Sequence, residues 1–306
     1  MIAPTDRNRL YIGGGPGGGS TGPKVHEYIA QTLGLDWTCE FLRVKTAKDL
    51  MEIYRRPDFA GGLVTMPHKM TIIPLLDQVD DLVRILRACN IVYRAPNGAL
   101  HGSNTDWVGI RDCLLARSPH HAPGRPAMVY GAGGASRAAV YALAADLACS
   151  EIYLVNRDDQ EVVDLLADVT QYGSRQYSPQ IRHVRSTAEA KDLRTPSYIV
   201  STVPDFDAVT PGEIAAREIL VEFLSRNDSP KGLLLDMCYH PVQTRNIKLA
   251  QQHGWRTILG YTVSAAQFAV QWRMWTGKRI EMDEVYRMTE RIIREREALK
   301  ANGGDA

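Results

Sequence analysis

The 306-residue sequence predicts an α/β protein of two domains. Three observations carry this. Apolar runs of strand length alternate with stretches of helical spacing through the first hundred residues, the pattern of a mostly parallel sheet with helices on its faces. A second series of the same kind follows "SPHHAPGRP" (118–126), whose prolines and glycine read as a domain boundary. The length also exceeds the roughly 250–300 residues at which a single core stops growing.

The elements follow in order. Leu10–Ile12 is a short strand, and "VHEYIAQTLG" has helical spacing that stops at Gly34. "CEFLRV" reads as a strand, "AKDLMEIYRR" as a helix, and "AGGLVTM" as a strand ended by Pro67. In the second series Ala127–Tyr130 is a buried strand that runs into a glycine turn at 131–134, with a small-residue helix over Ala135–Leu147. "SEIYLVNRDD", "YIVSTVP" and "GLLLDMCY" are further strands, and "NIKLAQQHG" is a helix before "RTILGY". From Thr262 the pattern is helical to the end, with Asp283–Lys300 strongly charged and amphipathic.

A 44% hydrophobic, 23% charged chain of net charge +1 has the balance of a soluble globular protein and gives no reason to expect nucleic acid or a membrane surface. The N-terminal residues lack the apolar segment of a signal peptide. No uncharged apolar run approaches the ~18 residues of a membrane span. Five cysteines (Cys39, Cys89, Cys113, Cys149, Cys238) are scattered, odd in number and never spaced C-x-x-C. That speaks against a disulfide framework and against a metal site, and for a reducing, cytoplasmic setting.

Two glycine loops compete for a nucleotide. "IGGGPGGGSTGPK" (12–24) satisfies G-x-G-x-x-G through Gly13, Gly15 and Gly18, but Pro16 interrupts it and a helix is expected only after Pro23. It also fails as a P-loop, because Lys24 follows Pro23 and precedes Val25. Its plain reading is a flexible surface loop. "VYGAGGASRAA" has strand, turn and helix in order. Gly131, Gly133 and Gly134 allow a tight turn and close approach to a pyrophosphate, and the helix N-terminus supplies free N–H groups. Ser136 is the small residue expected at the helix–strand contact, and Asn156-Arg157-Asp158-Asp159 end the next strand where a dinucleotide fold reads the ribose. The second loop therefore marks a Rossmann domain, against the alternative of a ligand-free turn.

Chemistry concentrates in two stretches. "LVTMPHKM" ends a buried strand with Thr65 and places Lys69 just beyond, at the carboxyl end of the sheet, where open α/β sheets bind ligands. "GSNTDWVG" (102–109) clusters Asn104, Thr105 and Asp106. A lysine with an aspartate suits oxidation of an alcohol, because the hydroxyl proton must leave along with the hydride. The competing readings are a solvated loop lysine and a helix-capping aspartate.

Together these stretches resemble the shikimate/quinate dehydrogenase family over nearly the whole chain. "STGPKVHEYIA", "VTMPHK", "ACNIVYR", "GSNTDWVG", "GAGGASRA", "STVP", "LLLDMCYHP" and "GYTVSAAQ" follow in the family's order and spacing. The resemblance implies an NAD(P)-dependent dehydrogenase of a cyclic hydroxy acid, quinate or shikimate, with Lys69 and Asp106 as the acid–base pair. It implies that Ser20, Thr65, Asn90 and Gln267 hold the substrate's hydroxyls and carboxylate, with Tyr239 nearby. The cofactor would be held by Gly131, Gly133, Gly134, Ala135, Ser136, Asn156, Arg157, Asp158, Thr202, Val203 and Gly260. The expected domains are 1–106 with 262–306 for the substrate and 107–261 for the dinucleotide, the C-terminal helices returning to the first and the cleft between the two closing over the ligands.

NADP-using relatives read Asn-Arg-Thr followed by a second arginine, whereas here Asp158 and Glu161 occupy those positions. NAD is therefore the expected cofactor and NADP the alternative, with Arg157 able to reach a phosphate. Three departures from the family stand out: Gly22 for a loop serine, Leu63 for an asparagine frequent in bacterial members, and Thr262 within the usual Gly-Leu-Gly-Met. They leave two alternatives, a non-catalytic sensor of metabolite or nucleotide and a dehydrogenase of an altered ring such as an amino analogue. The oligomeric state stays open, with a homodimer one of the options.

Overall fold

The computed structural model describes residues 7–15, 21–118, 123–172 and 179–301. The chain divides into two units, residues up to Thr105 with those from Ser264 onward, and Asp106–Val263.

In the first unit β1 (Arg9–Gly14), α1 (Gly22–Thr32), β2 (Thr38–Arg43), α2 (Ala47–Tyr54) and β3 (Phe59–Val64) alternate as the sequence predicts. Helix α1 already includes Gly22 and Pro23, since proline is tolerated in a first helical turn. Next come β4 (Gln78–Val79), α3 (Asp81–Leu86), β5 (Ile91–Arg94) and β6 (Leu100–Ser103). The sheet order is β2-β1-β3-β5-β6-β4. It is mixed rather than mostly parallel, because β5 runs antiparallel to both β3 and β6. The cause is local. Asn97 accepts from the Ala99 N–H at 3.1 Å and Gly98 takes a φ of 88°, so a short turn closes a β5–β6 hairpin where a parallel crossover would need a dozen residues.

In the second unit α4 (Asp106–Ala116) leads into β7 (Ala127–Tyr130), α5 (Gly134–Tyr141), β8 (Ile152–Val155), α6 (Asp159–Tyr172), β9 (Ile181–His183) and α7 (Thr187–Lys191). Then follow β10 (Tyr198–Ser201), α8 (Pro211–Ser225), β11 (Leu233–Asp236), α9 (Arg245–Gln252) and β12 (Arg256–Ile258). All strand pairs are parallel, in the order β12-β11-β10-β7-β8-β9. This is the doubly wound Rossmann order, with its reversal between β7 and β10. Every residue of β7, β8, β10 and β11 is buried, as helices on both faces require. The regular helix after the glycine turn ends at Tyr141, where a π-helical turn over Ala142–Asp146 takes over, short of the expected Leu147.

Helix α10 (Gly260–Thr276) leads back into the first unit, and α11 (Met282–Ala301) completes it. Phe268, Trp272, Met288 and Ile292 close the core over Leu10, Val25 and Ile29. The helical pattern from Thr262 onward forms two helices, separated at Gly277, whose φ of 72° ends α10.

The five cysteines are free, and burial pushes the thiols of Cys89 and Cys149 up to about 12, which leaves them unreactive. Among the described residues no helix is long and apolar enough to cross a membrane, and no cluster of side chains could hold a metal ion.

Asp236, at the end of β11, is 1% exposed and accepts from Thr244 Oγ1 at 2.6 Å and the Cys238 N–H at 3.1 Å. Burial raises its pKa from 3.8 to about 6 in spite of these donors. The folded state thus holds this proton more tightly than the unfolded chain. Its contribution to stability is complete below about pH 3.8 and is lost as pH rises through about 6, on the order of 3 kcal/mol in all. Asp236→Asn, which keeps one acceptor, is therefore expected to raise Tm at pH 8 and to lose that advantage near pH 4. Thermal unfolding across that range decides it, and an equal or lower Tm for the variant at pH 8 would count against the assignment.

Candidate functional site

Of the opening glycines, Gly13 and Gly14 are part of the sheet, and Gly17, Gly18 and Gly19 lie outside the described residues. Gly13 and Gly14 end β1, and the Gly15 N–H donates to Met66 O at 3.1 Å. A Cβ on Gly13 would strike the Leu50 side chain, and one on Gly14 would lie 2.5 Å from Thr65 Oγ1. Close packing explains these glycines without a nucleotide. Ser20 lies outside the described residues.

Thr65 follows β3 and gives both its N–H (2.8 Å) and its hydroxyl (3.0 Å) to the Gly13 carbonyl. The turn beyond it is anchored by His68, which is buried with Nε2 3.2 Å from Val44 O and donates its own N–H to Thr65 O. Lys69 is half-buried on this turn, and its carbonyl accepts from the Cys89 N–H at 2.8 Å. The lysine backbone is thereby fixed beside the segment that carries Asn90.

Asn90 and Gln267 meet directly, and Thr105 and Gln271, which the sequence leaves unassigned to the substrate, join them. Thr105 Oγ1 accepts from Asn90 Nδ2 (3.1 Å) and Gln271 Nε2 (3.0 Å) and lies 3.0 Å from Gln267 Oε1 as donor. The Thr105 N–H donates to Asn90 Oδ1 at 2.8 Å. Gln267 Oε1 also receives Asn90 Nδ2 (2.9 Å) and Gln271 Nε2 (3.3 Å). Three donors thus converge on one amide oxygen, and the Gln267 NH₂ group must point the other way. A donor is set in place by its neighbours. All four side chains are buried, which makes each unmade bond in this network costly, roughly 1–3 kcal/mol.

His26, the histidine of the first motif, is a core residue. Its Nδ1 accepts from Trp272 Nε1 at 3.0 Å, its ring packs edge-on against Phe268, and burial lowers its pKa to about 3. It stays neutral and holds α10 to α1.

In the second unit Asp106 opens α4 and is 3% exposed. The turn after β7 is built for close approach. Gly131 has a φ of 122°, and a Cβ there would collide with Thr202 Oγ1. A Cβ on Gly133 would meet no heavy atom within 4 Å, so that side of the turn faces open space. Helix α5 starts at Gly134 with Ala135 and Ser136 in its first turn and no side-chain cap, which leaves its N-terminal N–H groups to an anion. Ser136 and Thr202 clasp the turn to β10, their hydroxyls 2.7 Å apart, with Thr202 Oγ1 also donating to Tyr130 O at 3.1 Å. Val203 packs against the core below. These residues fit a pyrophosphate.

After β8, Asn156 Nδ2 donates to Glu161 Oε2 (2.8 Å) and to Asp158 O (2.9 Å). Asp158 caps α6, its Oδ1 accepting from the Gln160 N–H (2.8 Å) and the Glu161 N–H (3.3 Å). The Arg157 guanidinium lies 2.6 Å from Glu213 Oε1, a partner the sequence reading did not assign. Asn156, Arg157, Asp158 and Asp159 line a cleft of about 440 Å³.

Gly260, at the start of α10, sits where a Cβ would come within 2.6 Å of the carbonyl oxygens of Asp236 and Met237. The Thr262 hydroxyl donates to Leu259 O at 2.6 Å, so it is used within the first turn of its own helix. Tyr239 lies half-buried after β11, its ring against His240.

Residues 12–92 match the family model described as the shikimate dehydrogenase substrate binding domain. The chain is 38% identical over 303 residues to the quinate dehydrogenase of Emericella nidulans, covering 92% of this chain and 91% of that protein. Among solved structures, the shikimate 5-dehydrogenase of Thermus thermophilus in complex with NADP(H) and shikimate is 26% identical with a TM-score of 0.70, over 93% of this chain and 99% of that one. The quinate dehydrogenase of Corynebacterium glutamicum in complex with NAD shares the fold at a TM-score of 0.75 and 21% identity, over 92% and 98% of the two chains.

Proposed function

Since the chain belongs to the shikimate/quinate dehydrogenase family, we infer its reaction from the family's chemistry and this chain's own side chains. It is an NAD(P)-dependent oxidoreductase acting on a ring hydroxyl of quinate or shikimate. The observation that carries the substrate side is the convergence of Asn90, Thr105 and Gln271 on Gln267 Oε1, which presents an oriented amide donor to a hydroxyl or carboxylate. Thr65 and Asn90 are its companions, with Ser20 and Tyr239 as further proposed ligands.

Lys69 and Asp106 are the proposed acid–base pair. In the oxidising direction Asp106 and Lys69 hydrogen-bond the reacting hydroxyl, and the pair takes up its one proton. The nicotinamide, when bound, supplies the hydride acceptor. Gly131, Gly133 and the first turn of α5 would hold its pyrophosphate, while Asn156, Arg157 and Asp158 would border its ribose. The Thr262 hydroxyl, engaged with Leu259 O, lends no support to an altered ring. The presence of both Lys69 and Asp106 argues against a sensor that does no chemistry.

For the cofactor we propose NAD. A carboxylate from Asp158 or Glu161 about 4 Å from a 2′-phosphate would cost ~1–4 kcal/mol between surface-like and water-like dielectrics. NAD should therefore exceed NADP by roughly tenfold or more in kcat/KM. Initial rates with both cofactors test this, and a preference for NADP would give control of the site to Arg157.

Gln271 supplies a second test. Gln271→Met removes the donor to Thr105 and Gln267 while keeping volume. The expected result is a rise in KM for the ring acid of roughly five- to thirtyfold, the ~1–2 kcal/mol of one buried hydrogen bond, with NAD affinity unchanged. A variant that lost thermal stability but kept its KM would reduce Gln271 to a packing residue.

A further inference from the structure

The two arginines that border the nucleotide cleft are both engaged with carboxylates. Arg185 Nε lies 3.7 Å from Asp159 Oδ1, and Arg157 Nη1 lies 2.6 Å from Glu213 Oε1. The second contact is built into the fold. Glu213 is the third residue of α8, and its Oε2 accepts from the N–H groups of Val209 (3.1 Å) and Thr210 (3.0 Å), while its own N–H donates to Thr210 Oγ1 at 3.3 Å. This capping box fixes the carboxylate before it meets any cation. Gly212 brings the same turn of α8 against the Arg157 backbone, where any Cβ would collide with the Arg157 carbonyl oxygen.

An exposed ion pair is ordinarily weak because two long side chains must be ordered to form it. Here one partner is ordered already by the helix cap. The backbone N–H groups of Thr210 and Val209, followed by Arg157, hold the Glu213 carboxyl down at about 2, so it is ionised throughout the working range.

We propose that Glu213 is a specificity-determining residue of the dinucleotide site: by holding Arg157 it withholds from a 2′-phosphate the guanidinium that would receive it. The cofactor chosen is then one with a free 2′-hydroxyl. This rests on the NAD reading above and moves its main cause from Asp158, which is occupied in capping α6, to a residue on a different helix.

Glu213→Gln removes the charge and keeps the capping box, in which glutamine serves as well as glutamate. Calorimetric dissociation constants for AMP and for adenosine 2′,5′-bisphosphate, which differ only in the 2′-phosphate, are measured for the wild type and the variant. The expected result is a wild type that prefers AMP, and a variant that gains roughly tenfold or more for the bisphosphate with AMP affinity kept. Adding Arg157→Ala to the variant should remove that gain. Retained AMP binding shows that the site is folded. A wild type that prefers AMP together with a variant whose ratio does not move overturns the role of Glu213 and leaves NAD preference to Asp158 and Glu161. A wild type that prefers the bisphosphate overturns the NAD reading and this inference with it.

Discussion

Lys69→Ala and Asp106→Asn are each expected to lower kcat by roughly 10²–10⁴, the usual share of acid–base catalysis. The reason lies in the reaction. Hydride leaves carbon only as the attached hydroxyl loses its proton, so without the base the carbonyl would form still protonated, with a positive charge that nothing removes. The double variant should lose far less than the product of the two, because both groups act on one proton. Binding should be nearly unaffected by Asp106→Asn, which preserves shape and one acceptor. Steady-state kinetics with saturating ring acid and cofactor test both. Either single variant retaining more than about a third of wild-type turnover would remove that residue from the pair.

Gly133→Val should lower dinucleotide affinity by roughly a hundredfold or more, ~3 kcal/mol, without unfolding the chain. The structure separates these two effects. A Cβ at Gly133 meets no heavy atom within 4 Å, so added side-chain atoms enter open space and leave the fold undisturbed. That same space is where a pyrophosphate would approach the turn and the N-terminus of α5. Gly131→Ala makes the contrast, since its Cβ would collide with Thr202 Oγ1 at a φ of 122° and the damage should appear in Tm. Titration calorimetry and thermal unfolding on the two variants separate the cases. A Gly133→Val protein that binds NAD as the wild type does would remove this turn from the cofactor site.

The Rossmann half was the more legible in sequence, and the reason is physical. Strands buried on both faces appear as unbroken apolar runs, and "AMVY", "IYLV" and "LLLD" could be little else. In the first unit "ACNIVYR" is a family motif that also carries β5, and Asn97-Gly98 is the turn signal of the hairpin that follows it. Gly13 and Gly14 read as part of a loop because the partners they pack against, Leu50 and Thr65, lie tens of residues away.

The site shows the same division. Residues in local motifs, such as Asn90 and Gln267, could be named from their neighbours in the chain. Gln271 could not, because a glutamine on a helix reads as surface until the fold brings it to Thr105, 166 positions away. Glu213 carried a visible signal, Thr-x-x-Glu before an apolar helix, but that pattern announces a cap and says nothing of Arg157. Asp158 carried two meanings at once. An acidic residue after β8 reads the ribose in a dinucleotide fold, and the same residue before α6 is a cap.

The most direct test of the account is reduction of NAD by the purified chain with quinate or shikimate as the only reductant, followed by absorbance of the reduced nicotinamide. The account predicts sustained turnover with at least one of the two acids, in the common range of about 1–10³ s⁻¹, and its loss in Asp106→Asn. Absence of turnover with both acids and with either NAD or NADP, in a protein that still binds AMP, would contradict it.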